Sequence, residues 1–79
     1  METQTPEQIA KHVSAAFDSV NLINQVILEP IDDKKKGNVT RNIKHLELML
    51  KKEFFSTALT TEQATQIADC ITAGKAYIA

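Results

Sequence analysis

The stretch NVTRNIKHLELMLKKEFF, residues 38–55, decides the fold class. Its apolar residues Val39, Ile43, Leu46, Leu50 and Phe54 recur at three- or four-residue intervals. At about 100° per residue they fall on one stripe of an α-helix. A strand would need sustained apolar–polar alternation, which the stretch lacks. The opposite side of the wheel is basic: Arg41, Lys44, Lys51 and Lys52 lie there, with Leu48 among them pointing outward. An amphipathic helix of this kind has to set its apolar stripe against another element.

Two further stripes are available to cover it. Upstream, Ile9, Val13, Ala16, Phe17, Val20, Ile23 and Ile27 share one helical face; downstream, Ala64, Ile67, Ala68, Ile71, Gly74 and Ile78 share another. Thr5-Pro6-Glu7-Gln8 places a capping hydroxyl ahead of a first-turn proline, with a glutamine three residues after the threonine. This is the pattern of a reciprocal capping box, and Thr60-Thr61-Glu62-Gln63 repeats it without the proline. Pro30 disfavours helical backbone at Glu29 and stops the first helix near residue 28. The sequence therefore predicts an all-α fold, a small bundle of three amphipathic helices over about residues 6–28, 38–55 and 61–77, in a single domain spanning 1–79. Residues 30–37 are expected to form a loop. Starting the second helix at Asp32 or Asp33 would instead put Lys34–Lys36 at the positive end of its dipole and Gly37 inside it, both unfavourable. Gly74 falls on the buried stripe of the third helix. There it either admits a close helix approach or marks a weak spot near the helix end.

Composition narrows the function classes. The 79 residues are 43% hydrophobic and only 5% aromatic, too apolar for a wholly disordered chain. No apolar run approaches the roughly 18 residues of a membrane span. The polar start, Met1–Ala10, carries no secretory pattern, and the lone Cys70 has no partner for an intramolecular disulfide; both suit a cytoplasmic setting. A chain this short has little capacity to hide three apolar stripes by itself, so self-association is expected. The first helix, at about 23 residues, would be roughly 34 Å long and would outreach its companions.

The net charge of −1 conceals a segregation. Residues 34–52 carry seven cations against Glu47 alone, a net +6, while the rest of the chain sums to −7. Two contact surfaces follow as expectations. One is the basic face Arg41, Lys44, Leu48, Lys51 and Lys52. The other is Leu22 and Val26, which with Ala15 lie away from the main stripe of the first helix and give its C-terminal half a second apolar side. Companion helices clasping the first helix from both sides would also explain that second side. The partner is expected to be a protein, another copy of the chain, or both. Nucleic acid is the alternative, through phosphate contacts of the 34–52 cations, although no aromatic stacking platform or recognition module accompanies them. A plain solvated face, balanced by acids elsewhere in the fold, explains the same charges. Within this segment, Glu47 and Lys51 form a favourably oriented i,i+4 pair.

No catalytic residue, cofactor site or metal site is expected. His12, His45 and Cys70 stand singly on three different helices, and the two glycines stand alone, so neither ligand spacing nor a phosphate loop exists. Cys70 lies among alanine and isoleucine and reads as a semi-buried small residue rather than a nucleophile. Asp32-Asp33, ahead of three lysines, reads as a solvated turn. The chain is therefore expected not to be an enzyme.

Asn38-Val39-Thr40-Arg41-Asn42-Ile43-Lys44-His45-Leu46-Glu47-Leu48-Met49-Leu50, with Lys52-Glu53-Phe54-Phe55, Leu59-Thr60 and Ile71-Thr72-Ala73-Gly74-Lys75-Ala76-Tyr77-Ile78, resembles short uncharacterised proteins of tailed bacteriophages. The likeness covers about residues 38–79. It implies a viral origin, expression in a bacterial host, and residence in the host cytoplasm or the virion. It carries no activity and transfers no site residue.

Overall fold

Two reciprocal capping boxes set the starts of the outer helices. Thr5 Oγ1 accepts from the Gln8 backbone N–H at 3.2 Å while Gln8 Oε1 accepts from the Thr5 N–H at 3.0 Å. Thr60 and Gln63 repeat the exchange at 3.1 and 2.9 Å. In the computed structural model, which describes residues 5–79, α1 runs Pro6–Val26, α2 Asp33–Leu50, α3 Glu53–Ser56 and α4 Thr61–Ile78. Pro6–Ala10 of the polar start lie in α1; Met1–Gln4 lie outside the described residues. α1 closes in a tightened turn, Leu28 N–H to Gln25 O at 3.2 Å and Glu29 N–H to Val26 O at 3.0 Å, before Pro30 ends it.

The expected loop over 30–37 is overturned, because α2 begins at Asp33 and takes Lys34–Lys36 and Gly37 into its first turns. Asp32, read from sequence as part of a solvated turn, is the N-cap. Its Oδ1 accepts from the Lys35 N–H at 2.8 Å. That backbone donor holds the Asp32 carboxyl below the usual aspartate range, so the helix starts against a carboxylate. Lys35 folds back between Asp32 at 3.4 Å and Glu29 at 3.8 Å, and donates to Pro30 O at 3.3 Å. A cation engaged by two acids does not oppose the helix dipole as a bare one would.

α2 also ends earlier than residue 55. Lys51 caps it, Lys52 adopts extended backbone (φ −87°, ψ 121°), and the one-turn α3 follows. Ser56 Oγ donates to Leu50 O at 2.6 Å and occupies one of the carbonyls exposed at the break. An uninterrupted helix would place Phe55 nine residues from Leu46, on the opposite side of the wheel. The break turns it inward instead, and Phe55 is completely buried.

Phe55, Ile23, Leu46, Ile67 and Val39 form the centre of the core. Met49 and Cys70 join them, whereas Ala64 and Ala68, expected on the stripe of the last helix, are exposed. Cys70 Sγ lies 3.7 Å from Val20 O, and Tyr77 Oη donates to Glu29 O at 2.9 Å, so α4 runs parallel to α1. α2 runs antiparallel between them, tied to α1 by Ser19 Oγ and His45 Nδ1 at 3.0 Å and to α4 by Glu47 and Lys75 at 2.8 Å. The result is an up-down-up bundle, 42 × 22 × 17 Å, with α3 at the end where α2 turns back. α1, at 21 residues and about 32 Å, is the longest helix and is shorter by two residues than the sequence suggested.

Gly74 serves close approach. A Cβ there would lie 2.9 Å from Ile43 Cδ1, 3.2 Å from Ile43 Cγ1 and 3.3 Å from Ile23 Cγ2. The missing side chain lets α4 seat on α1 and α2 together.

Candidate interaction surface

α2 turns Val39, Ile43 and Leu46 to the core and braces both flanks, His45 against α1 and Glu47 against α4. Whatever lies about 180° from Leu46 must then face solvent. Lys44, Leu48 and Lys51 stand within about 40° of that direction. All three are exposed, as are Arg41 and Lys52, and Leu48 keeps 58% of its surface open. The chain thus forms an external ridge, with one branched apolar side chain among four cations.

Arg41 donates from its guanidinium to the Asn38 side chain, and Asn42 Nδ2 donates to Asn38 O at 2.7 Å, which stiffens this end of the ridge. No ion pair among the described residues engages Arg41, Lys44, Lys51 or Lys52. The expected Glu47–Lys51 pair does not form, because Glu47 reaches across to Lys75 at 2.8 Å. An i,i+4 pair is worth only about 0.2–0.5 kcal/mol, so a well-placed partner on another helix displaces it. The acid within the basic segment and a cation outside it neutralise each other, and the ridge stays positive.

The second predicted surface divides. Leu22 is exposed, but Val26 is half-buried against the core. Leu28 and Ile31 extend the exposed apolar surface around the α1–α2 connection, Leu28 being 84% open. Sequence periodicity missed these two because they lie outside any helix.

A groove of about 420 Å³ runs between α1 and α4. Phe17, Val20, Cys70 and Ala73 give it an apolar lining, and Asn21, Asn24, Gln66 and Asp69 supply polar groups. It escaped the sequence reading because its walls come from segments some 50 residues apart. Cys70 is buried beside it, with burial pushing its thiol pKa up, so the group stays protonated and poorly nucleophilic.

His12 stacks obliquely on Phe54 at 5.3 Å between ring centroids, His45 contacts Ser19, and Cys70 contacts Val20 O. These three do not converge, and the described residues contain no cluster of three or more histidine, cysteine, aspartate or glutamate side chains able to hold a metal ion. No described helix is long and apolar enough to cross a membrane. Compared with protein-family models, curated proteins and solved structures, the chain matches none.

Proposed function

We propose that the chain is a non-enzymatic helical interaction module that binds an acidic protein surface through the outer face of α2. The observation that carries this reading is Leu48, 58% exposed in the middle of four cations that no acid among the described residues engages. Cations around an apolar centre suit a protein interface, where the apolar group is buried and the rim charges steer encounter. Leu22, with the half-buried Val26 behind it, is the second contact region of this reading. Given the resemblance to tailed-phage proteins, such a module would serve as a virion component, an assembly accessory or a modulator of a host factor.

Affinity capture from bacterial lysate tests the reading, with wild-type chain and a Lys44→Glu/Leu48→Asp/Lys51→Glu variant as parallel baits. A protein retained by the first and lost from the second is the expected result. Equal retention by both refutes the ridge as the binding surface.

The unpaired cations also favour a second reading, binding to a nucleic-acid backbone. That binding would weaken steeply with salt. Leu48 separates the two readings: Leu48→Ala leaves phosphate contacts intact but removes the apolar anchor of a protein interface. Mobility shifts at two salt concentrations, with Leu48→Ala and Lys44→Glu/Lys51→Glu side by side, discriminate between them.

A further inference from the structure

The ridge and the groove lie on opposite sides of the bundle. α2 packs against both α1 and α4, so its outer face points away from the cleft that those two helices leave between them. The two surfaces are also complementary in chemistry. The groove sets its apolar lining beside the amides Asn21, Asn24 and Gln66, and its one ionisable wall residue besides the protonated Cys70 is the carboxylate Asp69. Glu62 lies two turns before Asp69 on the same edge of α4, with the wall residue Gln66 between them. Both acids are exposed and neither is in an ion pair among the described residues.

The spacings match as well. Glu62 and Asp69 are seven residues apart on α4, and Lys44 and Lys51 are seven residues apart along α2 and its cap. Either separation is about 10.5 Å along a helix axis. Leu48 stands between the two lysines, and the groove's apolar lining stands beside Asp69, two turns along α4 from Glu62.

From this complementarity we infer that the occupant of the groove is the α2 ridge of a second copy of the chain. Lys44 and Lys51 meet Glu62 and Asp69, and Leu48 enters the cleft. The inference rests on the ridge being a protein-binding surface and names the partner it takes. The contact is head to tail: each copy that fills a groove presents its own groove on the far side. Repetition gives an open, linear assembly rather than a closed dimer. The two charge pairs make association strongest at low salt.

Sedimentation across a concentration series tests this with two conservative variants. Lys44→Gln/Leu48→Gln/Lys51→Gln disables the ridge and keeps the groove. Glu62→Gln/Asp69→Asn disables the charged edge of the groove and keeps the ridge. All of these positions are exposed, and circular dichroism verifies that both variants fold. The wild-type chain is expected to grow beyond a dimer as concentration rises and to dissociate with added salt. Each variant alone is expected to associate about tenfold more weakly or worse. An equimolar mixture restores one ridge–groove contact and stops at a one-to-one complex. A wild-type chain that stays monomeric, one that stops at a dimer, or association unaltered in either variant overturns the inference. A monomeric chain whose ridge variant still loses a captured protein would refute self-docking alone and leave the ridge as a binding surface.

Discussion

Replacing Gly74 by alanine sets two effects of known size against each other. Glycine in a helix interior is disfavoured relative to alanine by about 0.8–1.0 kcal/mol, so propensity alone would make Gly74→Ala stabilising. The new methyl, however, would stand 2.9 Å from Ile43 Cδ1 and 3.2 Å from Cγ1, with Ile23 Cγ2 at 3.3 Å on its other side. Carbon atoms pack best at about 3.5–4.0 Å. The Ile43 tip can swing about χ2, but Cγ1 moves only with χ1, which a β-branched residue in a helix holds in one strongly preferred rotamer. Ile43 and Ile23 are both buried, so neither has room to withdraw. Overpacking of this kind costs about 1–3 kcal/mol, which leaves a net loss of about 0–2 kcal/mol and lowers Tm by up to several degrees. Ile43→Val deletes Cδ1. Alone it should cost about 0.5–1.5 kcal/mol. In the Gly74→Ala background it removes the worst contact, so the double variant should be at least as stable as Gly74→Ala. Urea denaturation of the four chains, followed by far-UV circular dichroism, measures the coupling. Strict additivity, or a Gly74→Ala chain more stable than wild type, would refute the claim that α4 is seated through its missing side chain.

Two other consequences follow from local structure. At Gly37 a Cβ would meet only Arg41 Nη1 at 3.6 Å, an ordinary contact, so Gly37→Ala should raise stability by about 0.5–1 kcal/mol in the same denaturation assay; a loss there would argue against α2 starting at Asp33. Cys70 should react with a thiol-specific disulfide reagent far more slowly in the native chain than in urea, because its buried thiol has a raised pKa. For an acid raised in the folded state, the associated stability is complete below the unfolded thiol pKa and lost as pH rises through the folded one; a native rate equal to the rate in urea would contradict the burial.

What the sequence made legible depended on the range of the interaction. The capping boxes at Thr5 and Thr60 close within three residues, so both appear in sequence and in space. The start of α2 is set by Asp32, which caps the Lys35 N–H three residues on, and weighing Lys34–Lys36 as free cations at the dipole hides that local signal. Phe55 marks the limit of periodicity: in an uninterrupted helix it lies opposite Leu46, so its burial depends on the break at Lys51–Lys52, while Phe54 stays half-buried. Of the candidate surface, the ridge was readable because its residues lie on one helix; the groove was not, because it exists only once α4 docks parallel to α1.

The remaining question is whether the ridge cations serve the fold, and their positions divide the answer. Lys51 and Lys52 sit beside the C-terminal carbonyls of α2, where a cation interacts favourably with the dipole. Arg41 and Lys44 are in mid-helix, where that benefit has faded. Lys44 and Lys51, about 10.5 Å apart, repel by about 0.4 kcal/mol in water, small enough for the bundle to tolerate without neutralising either. The acids that do form ion pairs are committed elsewhere, Glu29 and Asp32 to Lys35 and Glu47 to Lys75. Leu48 has still less structural use, since the core beneath α2 is filled by Val39, Ile43, Leu46 and Met49. A helix with its inner face satisfied and both flanks braced does not need a leucine on its outer face. Mid-helix cations around an exposed leucine add nothing evident to the stability of this bundle, and a surface that adds nothing to stability is one that a binding partner can explain.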